Sequence, residues 1–177
     1  MIKGGTGGAN TVTGLVFEGK VDLAAFLNEQ PGYRVEGNVV FYQDKTVAQI
    51  FKKHELYSRF LKPRGVDWRK CISAQLLPEN GIYVIINNTV YIIEVKTQQS
   101  RGSVDEKLQT CDFKKKQYQK LFFQINIEVE YLYILDDWFR KPRYKDVLDY
   151  IISTGCQYYF QYVPLQKLGL PIPPDIK

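Results

Sequence analysis

The segment from Gly81 to Lys96, Gly-Ile-Tyr-Val-Ile-Ile-Asn-Asn-Thr-Val-Tyr-Ile-Ile-Glu-Val-Lys, constrains the fold more than any other part of the chain. Two runs of β-branched and aromatic residues flank Asn87-Asn88, a dipeptide that tolerates the positive φ of a tight turn, so the spacing predicts an antiparallel hairpin. Its second run, Thr89-Val90-Tyr91-Ile92-Ile93, is apolar at consecutive positions and does not alternate. A strand of that kind is covered on both faces, so it needs a layer of structure above and below it.

The rest of the chain supplies those layers. Leu15, Val16, Leu23, Phe26 and Leu27 recur at helical spacing up to Pro31-Gly32, which predicts a first helix carrying Glu18 and Asp22 one turn apart. Tyr33 to Tyr42 reads as a strand pair around Gly37-Asn38, and Lys45 to Leu61 as a second helix stopped by Pro63. Ser103 to Phe123 reads as a helix opened by a Ser103/Glu106 capping box. Glu128 to Leu135 is a strand, Tyr144 to Ile152 a helix ended by Gly155, and Gln157 to Val163 a last strand before an irregular, proline-containing tail. This order predicts an α/β fold, a mixed β-sheet core flanked by helices. Residues 1–13, rich in Gly, Thr and Asn, read as a flexible arm, and 14–177 as a single domain.

Composition narrows the chemistry. Among 177 residues there is one histidine, His54, which excludes HNH-type nucleases and three-histidine metal sites. Cys71, Cys111 and Cys156 are an odd, scattered set with no CxxC pair, so no zinc site is expected and a reducing cytoplasm fits. No apolar run approaches the roughly 20 residues of a membrane span, so no membrane partner is expected. The net charge of +5 is compatible with a polyanionic partner and does not identify one.

The chemistry-bearing residues sit in the hairpin. Glu94 and Lys96 are two apart on a strand, so both emerge on one face while Val95 points the other way. With Asn87 and Asn88 as the turn, Glu79 falls opposite Lys96 and diagonal to Glu94, all within about 5–8 Å. Gly81 then lies opposite Glu94 and leaves space there. Two carboxylates and an ammonium around a gap can hold a hard divalent cation such as Mg2+, which polarises a phosphate and lowers the pKa of bound water. A Glu-x-Lys triplet can also be a plain solvated ion pair; here the charges interrupt a run covered on both faces, where they are costly unless paired or bound to metal.

Pro78-Glu79, fourteen intervening residues, then Glu94-Val95-Lys96 resembles the PD-(D/E)xK nuclease signature, with Glu79 in place of the usual aspartate. The surrounding text, Thr13-Gly14-Leu15-Val16-Phe17-Glu18, Ile92 to Gln98, Gly102 to Thr110 and Leu135-Asp136-Asp137-Trp138-Phe139, is similar to small prokaryotic type II restriction endonucleases of that superfamily. The resemblance implies a restriction-endonuclease-like fold, a cytoplasmic enzyme acting on double-stranded DNA, Mg2+ as cofactor with Mn2+ as a substitute, and a homodimer cutting both strands. It also implies metal ligation by Glu79, Glu94 and the Val95 backbone carbonyl, a Lys96 that orients the attacking water and stabilises charge, and a Glu18 that completes the acidic cluster. Glu79 is one methylene longer than aspartate, which changes ligand reach and not ligand type.

DNA contacts are expected from Gln98, Gln99, Arg101 and Ser103 in the loop after the strand, and from Lys114 and Lys115 on the following helix, whose lysine run reads equally as a solvated face. His54 reads as a surface or packing residue, and Asp136 to Trp138 as a turn. Two other readings stand beside the restriction enzyme: a structure-specific repair or junction nuclease of the same superfamily, and a catalytically silent DNA-binding or toxin-neutralising module.

Overall fold

A computed structural model describes residues 14–16, 22–98 and 104–173. Its strands and helices are β1 Gly14–Val16, α1 Leu23–Asn28, β2 Tyr33–Glu36, β3 Val39–Tyr42, β4 Lys45–Phe51, β5 Asn80–Val84, β6 Thr89–Lys96, α2 Val104–Leu108, α3 Cys111–Phe123, β7 Glu128–Leu135, α4 Lys145–Ser153, β8 Gln157–Phe160 and β9 Tyr162–Pro164. Strands β2 to β8 form one seven-stranded sheet in sequence order, and β1 pairs separately with β9. The ladder is antiparallel from β2 to β6 and parallel from β6 through β8. The chain is therefore α/β with a mixed sheet flanked by helices. No helix among the described residues is long and apolar enough to cross a membrane.

The two parallel steps, β6 to β7 and β7 to β8, run in one direction across the sheet. Crossovers of one hand then place their helices on one face, and residues of α3 and α4 pack in a single cluster with Val90 and Ile92 of β6 and with Tyr131 and Tyr133 of β7. The opposite face, carrying Tyr91, Ile93, Leu132 and Ile134, packs on Leu23 and Leu27 of α1 and on Leu165, Leu168 and Leu170. The unbroken apolar run of β6 is thus covered on both faces, as its pattern predicts.

Several expected elements differ. Gly14–Val16 is a strand, and a helix begins only at Leu23, where the Asp22 side chain accepts from the amides of Ala24 and Ala25. Lys45 to Phe51 is a strand, followed by a separate turn of wide, π-type helix at Leu56–Leu61. Thr46, Val47 and Ile50 suit a strand, and pairing to both β3 and β5 overrides the helical spacing. The helix expected from Ser103 to Phe123 breaks at Gln109-Thr110 into α2 and α3. The last strand divides at Gln161, whose φ of 67° ends β8 and sends β9 to the second sheet. The tail carries a helical turn at Leu165–Leu168, with both leucines buried.

Candidate active site

The hairpin forms with a longer turn than expected, and this reshapes the site. Ile85 to Asn88 make the turn, with φ of 50° at Asn88, and the register joins Val84 to Thr89, Gly81 to Ile92 and Asn80 to Ile93. Relative to the tight-turn expectation each partner moves by two positions. Gly81 therefore faces Ile92 and not Glu94, and its missing side chain makes room for Phe51: a Cβ there would collide with the ring. Because side chains alternate with a period of two, a two-position shift keeps every residue on its face.

Glu79, Glu94 and Lys96 consequently still converge. The Lys96 ammonium donates to Glu94 Oε2 at 2.9 Å and to Glu79 Oε1 at 3.2 Å. The second oxygen of Glu79 accepts the Val95 amide at 3.0 Å. This contact replaces the sheet ladder. The residue the register would set opposite Val95 is Pro78, which has no N–H, and the Pro78 carbonyl is turned to the Lys53 amide at 2.7 Å. The Lys96 carbonyl accepts from Asp136 on the β7 side, so the peptide groups of Val95, one residue back, point the other way, toward Glu79. Pro78 thus ends the β5–β6 ladder, leaving the Val95 N–H to a carboxylate and its carbonyl without a ladder partner from β5.

Glu94 is 6% exposed and sits where β6 passes beneath α3. Its other oxygen, Oε1, accepts from Lys114 at 2.7 Å. The buried aromatic residues Tyr118, Tyr131 and Tyr133 surround it; the Tyr133 hydroxyl donates to the Lys107 carbonyl at 3.1 Å, while the Tyr131 hydroxyl has no hydrogen bond of full geometry. Burial pushes the Glu94 pKa up, but the ammoniums of Lys96 and Lys114 more than offset this and hold it below the ordinary carboxylate range. Burial likewise pushes Lys96 down, and Glu94 and Glu79 more than offset it, so its pKa is raised and the side chain is an ammonium at neutral pH. The Tyr131 phenol is pushed up by burial and by the Glu94 charge, so it stays neutral.

Gln98, two residues past the strand, is 7% exposed. Its amide N–H donates to Asp136 Oδ2 at 2.9 Å, yet neither polar atom of its side chain has a partner among the described residues. A buried carboxamide with no such partner is costly. Lys115 reaches the other side of α3, donating to Glu130 at 3.1 Å and to the Gly155 carbonyl at 2.6 Å. Glu18, Gln99, Arg101 and Ser103, expected at the site, lie outside the described residues, as does the arm 1–13.

Lys114 is the member of this cluster whose setting the lysine run conceals. Cys111, Tyr118, Leu121 and Phe122 form the buried stripe of α3, and Lys114 stands three residues after Cys111 and four before Tyr118. That spacing places it on the inner face, where a lone lysine demands a carboxylate.

The ligand chemistry suits a hard divalent cation: two carboxylates bound to one ammonium and a backbone carbonyl freed by Pro78, all oxygen donors. Among the described residues no group of three or more acidic, histidine or cysteine side chains forms, so Glu79 and Glu94 are the acidic complement there.

Two grooves adjoin across the Trp68–Lys70 turn. One, of about 590 Å3, is lined by His54, Lys62, Trp68 and Arg69; the other, of about 540 Å3, by Lys70, Lys116, Lys120 and Phe123. Asp67 and Asp112 neutralise part of this charge, at 3.8 Å from Arg69 and 2.8 Å from Lys116. His54 is exposed and bonded to Gln75 at 3.3 Å. No protein-family model matches the chain, and no characterised protein or solved structure matches it.

Proposed function

We propose that this protein is a Mg2+-dependent endonuclease that hydrolyses phosphodiester bonds at specific double-stranded DNA sites, with a restriction-endonuclease-like arrangement of its sheet and helices and a cytoplasmic site of action. The observation that carries the reading is the convergence of Glu79, Glu94 and Lys96 at the end of β6, on a strand where charge is otherwise excluded.

Glu79, Glu94 and the Val95 carbonyl would hold the cation, with Mn2+ as a substitute. When bound, the ion supplies a Lewis acid for a phosphate oxygen and an acidified water. The chain's own residues do the rest. Lys96, an ammonium at neutral pH, cannot serve as a base in that state; it donates hydrogen bonds that orient the attacking water or a non-bridging oxygen and offset the charge gathering on the phosphoryl group. The water oxygen forms a new P–O bond in line as the bond to the leaving oxygen breaks; the water's proton passes to solvent and the leaving oxygen takes one from solvent. Lys62, Arg69, Lys70, Lys116 and Lys120 offer cations to the backbone of a bound duplex. Cutting both strands of a symmetric site requires two copies of such a site, which a two-fold homodimer provides.

The test is digestion of plasmid DNA with Mg2+ against EDTA. Discrete fragments with Mg2+ alone support the proposal, and cleavage confined to branched or damaged DNA assigns the site to a repair or junction nuclease. One observation favours a catalytically silent DNA-binding module: both Glu94 oxygens are already neutralised by lysines. Duplex binding without hydrolysis under any divalent ion identifies that case.

A further inference from the structure

The second lysine on Glu94 has no place in the reading above. Lys96 alone pairs both carboxylates, yet α3 delivers Lys114 to the remaining Glu94 oxygen at 2.7 Å, the shortest contact in the cluster. The four charges cancel. Lys114 keeps 27% of its side chain exposed while Glu94 keeps 8%, so the lysine is the partner with access to solvent and the one with room to withdraw. Its neighbours on the stripe, Cys111 and Tyr118, are fully packed and hold the helix in place without it. A divalent cation ligated by Glu94 would meet this ammonium as a competitor for the same oxygen and as a like charge a few ångströms away.

We propose, resting on the cation site proposed above, that Lys114 is a displaceable counter-ion: it neutralises Glu94 in the cation-free protein, leaves that oxygen when a divalent ion takes it, and is then free to pair with a phosphate. It is a positioning residue that couples cation binding to α3. Removing it relieves competition and repulsion together, so cation affinity rises.

The probe is Mn2+, followed by calorimetry and by the electron paramagnetic resonance of the free ion. Lys114→Met, an apolar residue of similar length suited to the stripe, tightens Mn2+ binding by about tenfold or more; Lys114→Arg, which keeps the charge, leaves it within about threefold. Wild-type protein supplies a measurement that needs no variant: acetylation of Lys114 by an amine-reactive ester, read by mass spectrometry, increases several-fold on adding Mn2+. If Mn2+ binds in a manner abolished by Glu94→Gln, while Lys114→Met does not tighten it and Lys114 labelling does not change, the counter-ion role is overturned and the cation site stands. If no Mn2+ binding depends on Glu94, both fall.

Discussion

Replacing Glu94 by glutamine removes one charge at nearly constant shape. The carboxylate is 6% exposed and accepts ammoniums at 2.7 and 2.9 Å. At an effective dielectric near 20, each contact carries roughly 6 kcal/mol of gross attraction, most of it offset by the cost of desolvating the carboxylate. Breaking a buried pair by neutralising one member typically costs about 3–5 kcal/mol. Lys114 retains some solvent and Lys96 retains Glu79, so the expected loss lies at the lower end, about 3 kcal/mol, or about 6–12 °C in Tm for a chain of this size. The pH dependence is a second signature. Because the folded-state pKa of Glu94 is depressed, its contribution is present above the unfolded carboxylate value of about 4.3 and is lost as pH falls through the lower folded value. The gap between wild type and Glu94→Gln is therefore full at pH 7 and closes in acid. Lys96, with a raised pKa, carries its share below the unfolded value of about 10.4 and loses it as pH rises through the higher folded value. Urea melts in EDTA at pH 7 and pH 3.5 measure both. A loss under about 1 kcal/mol at pH 7, or a gap as wide at pH 3.5 as at pH 7, refutes the ion-pair energetics.

Gly81→Ala drives a Cβ into the buried Phe51 ring, which is itself held against Phe60 at 5.2 Å, and is expected to cost about 2–3 kcal/mol in urea melts; a loss under about 0.5 kcal/mol contradicts the register. Gln98→Leu removes a buried carboxamide that has no partner, so it raises stability by about 1 kcal/mol while lowering nuclease activity; lower stability with unchanged activity reverses the inference. Cys71 is half-buried, whereas Cys111 and Cys156 are buried, so one thiol reacts rapidly with Ellman's reagent in the native protein and three after denaturation. That outcome is expected even though hydrogen bonding from Cys156 draws the Cys111 pKa down to about 7, because a buried thiolate is still out of reach.

The sheet's centre is readable from the residue pattern alone: four consecutive apolar residues, Val90 to Ile93, before Glu94 leave no solvated face, and the structure covers both. The faces of Glu79, Glu94 and Lys96 also follow from spacing, since parity survives an error of two positions in register. The register itself does not, because Asn88 alone takes the positive φ and its side chain is recruited by Tyr83 and by the Asn126 carbonyl, contacts set by tertiary packing. Val47, Ala48, Ile50 and Phe51 fit a helical stripe as well as a strand, and pairing to β3 and β5 decides between them. Lys114 is legible in the sequence too: the spacing from Cys111 to Tyr118 puts it on the buried stripe, although the surrounding lysine run has the look of a solvated face.

Conversion of supercoiled plasmid to linear fragments by wild type and by Lys96→Ala, side by side in Mg2+, is the decisive measurement. Wild type is expected to produce discrete fragments, and Lys96→Ala, folded to the same extent by circular dichroism, to lose at least about a hundredfold in rate, the scale of losing one electrostatic donor. Equal rates in the two proteins, or fragments that persist in EDTA, contradict a nuclease site built on Glu79, Glu94 and Lys96.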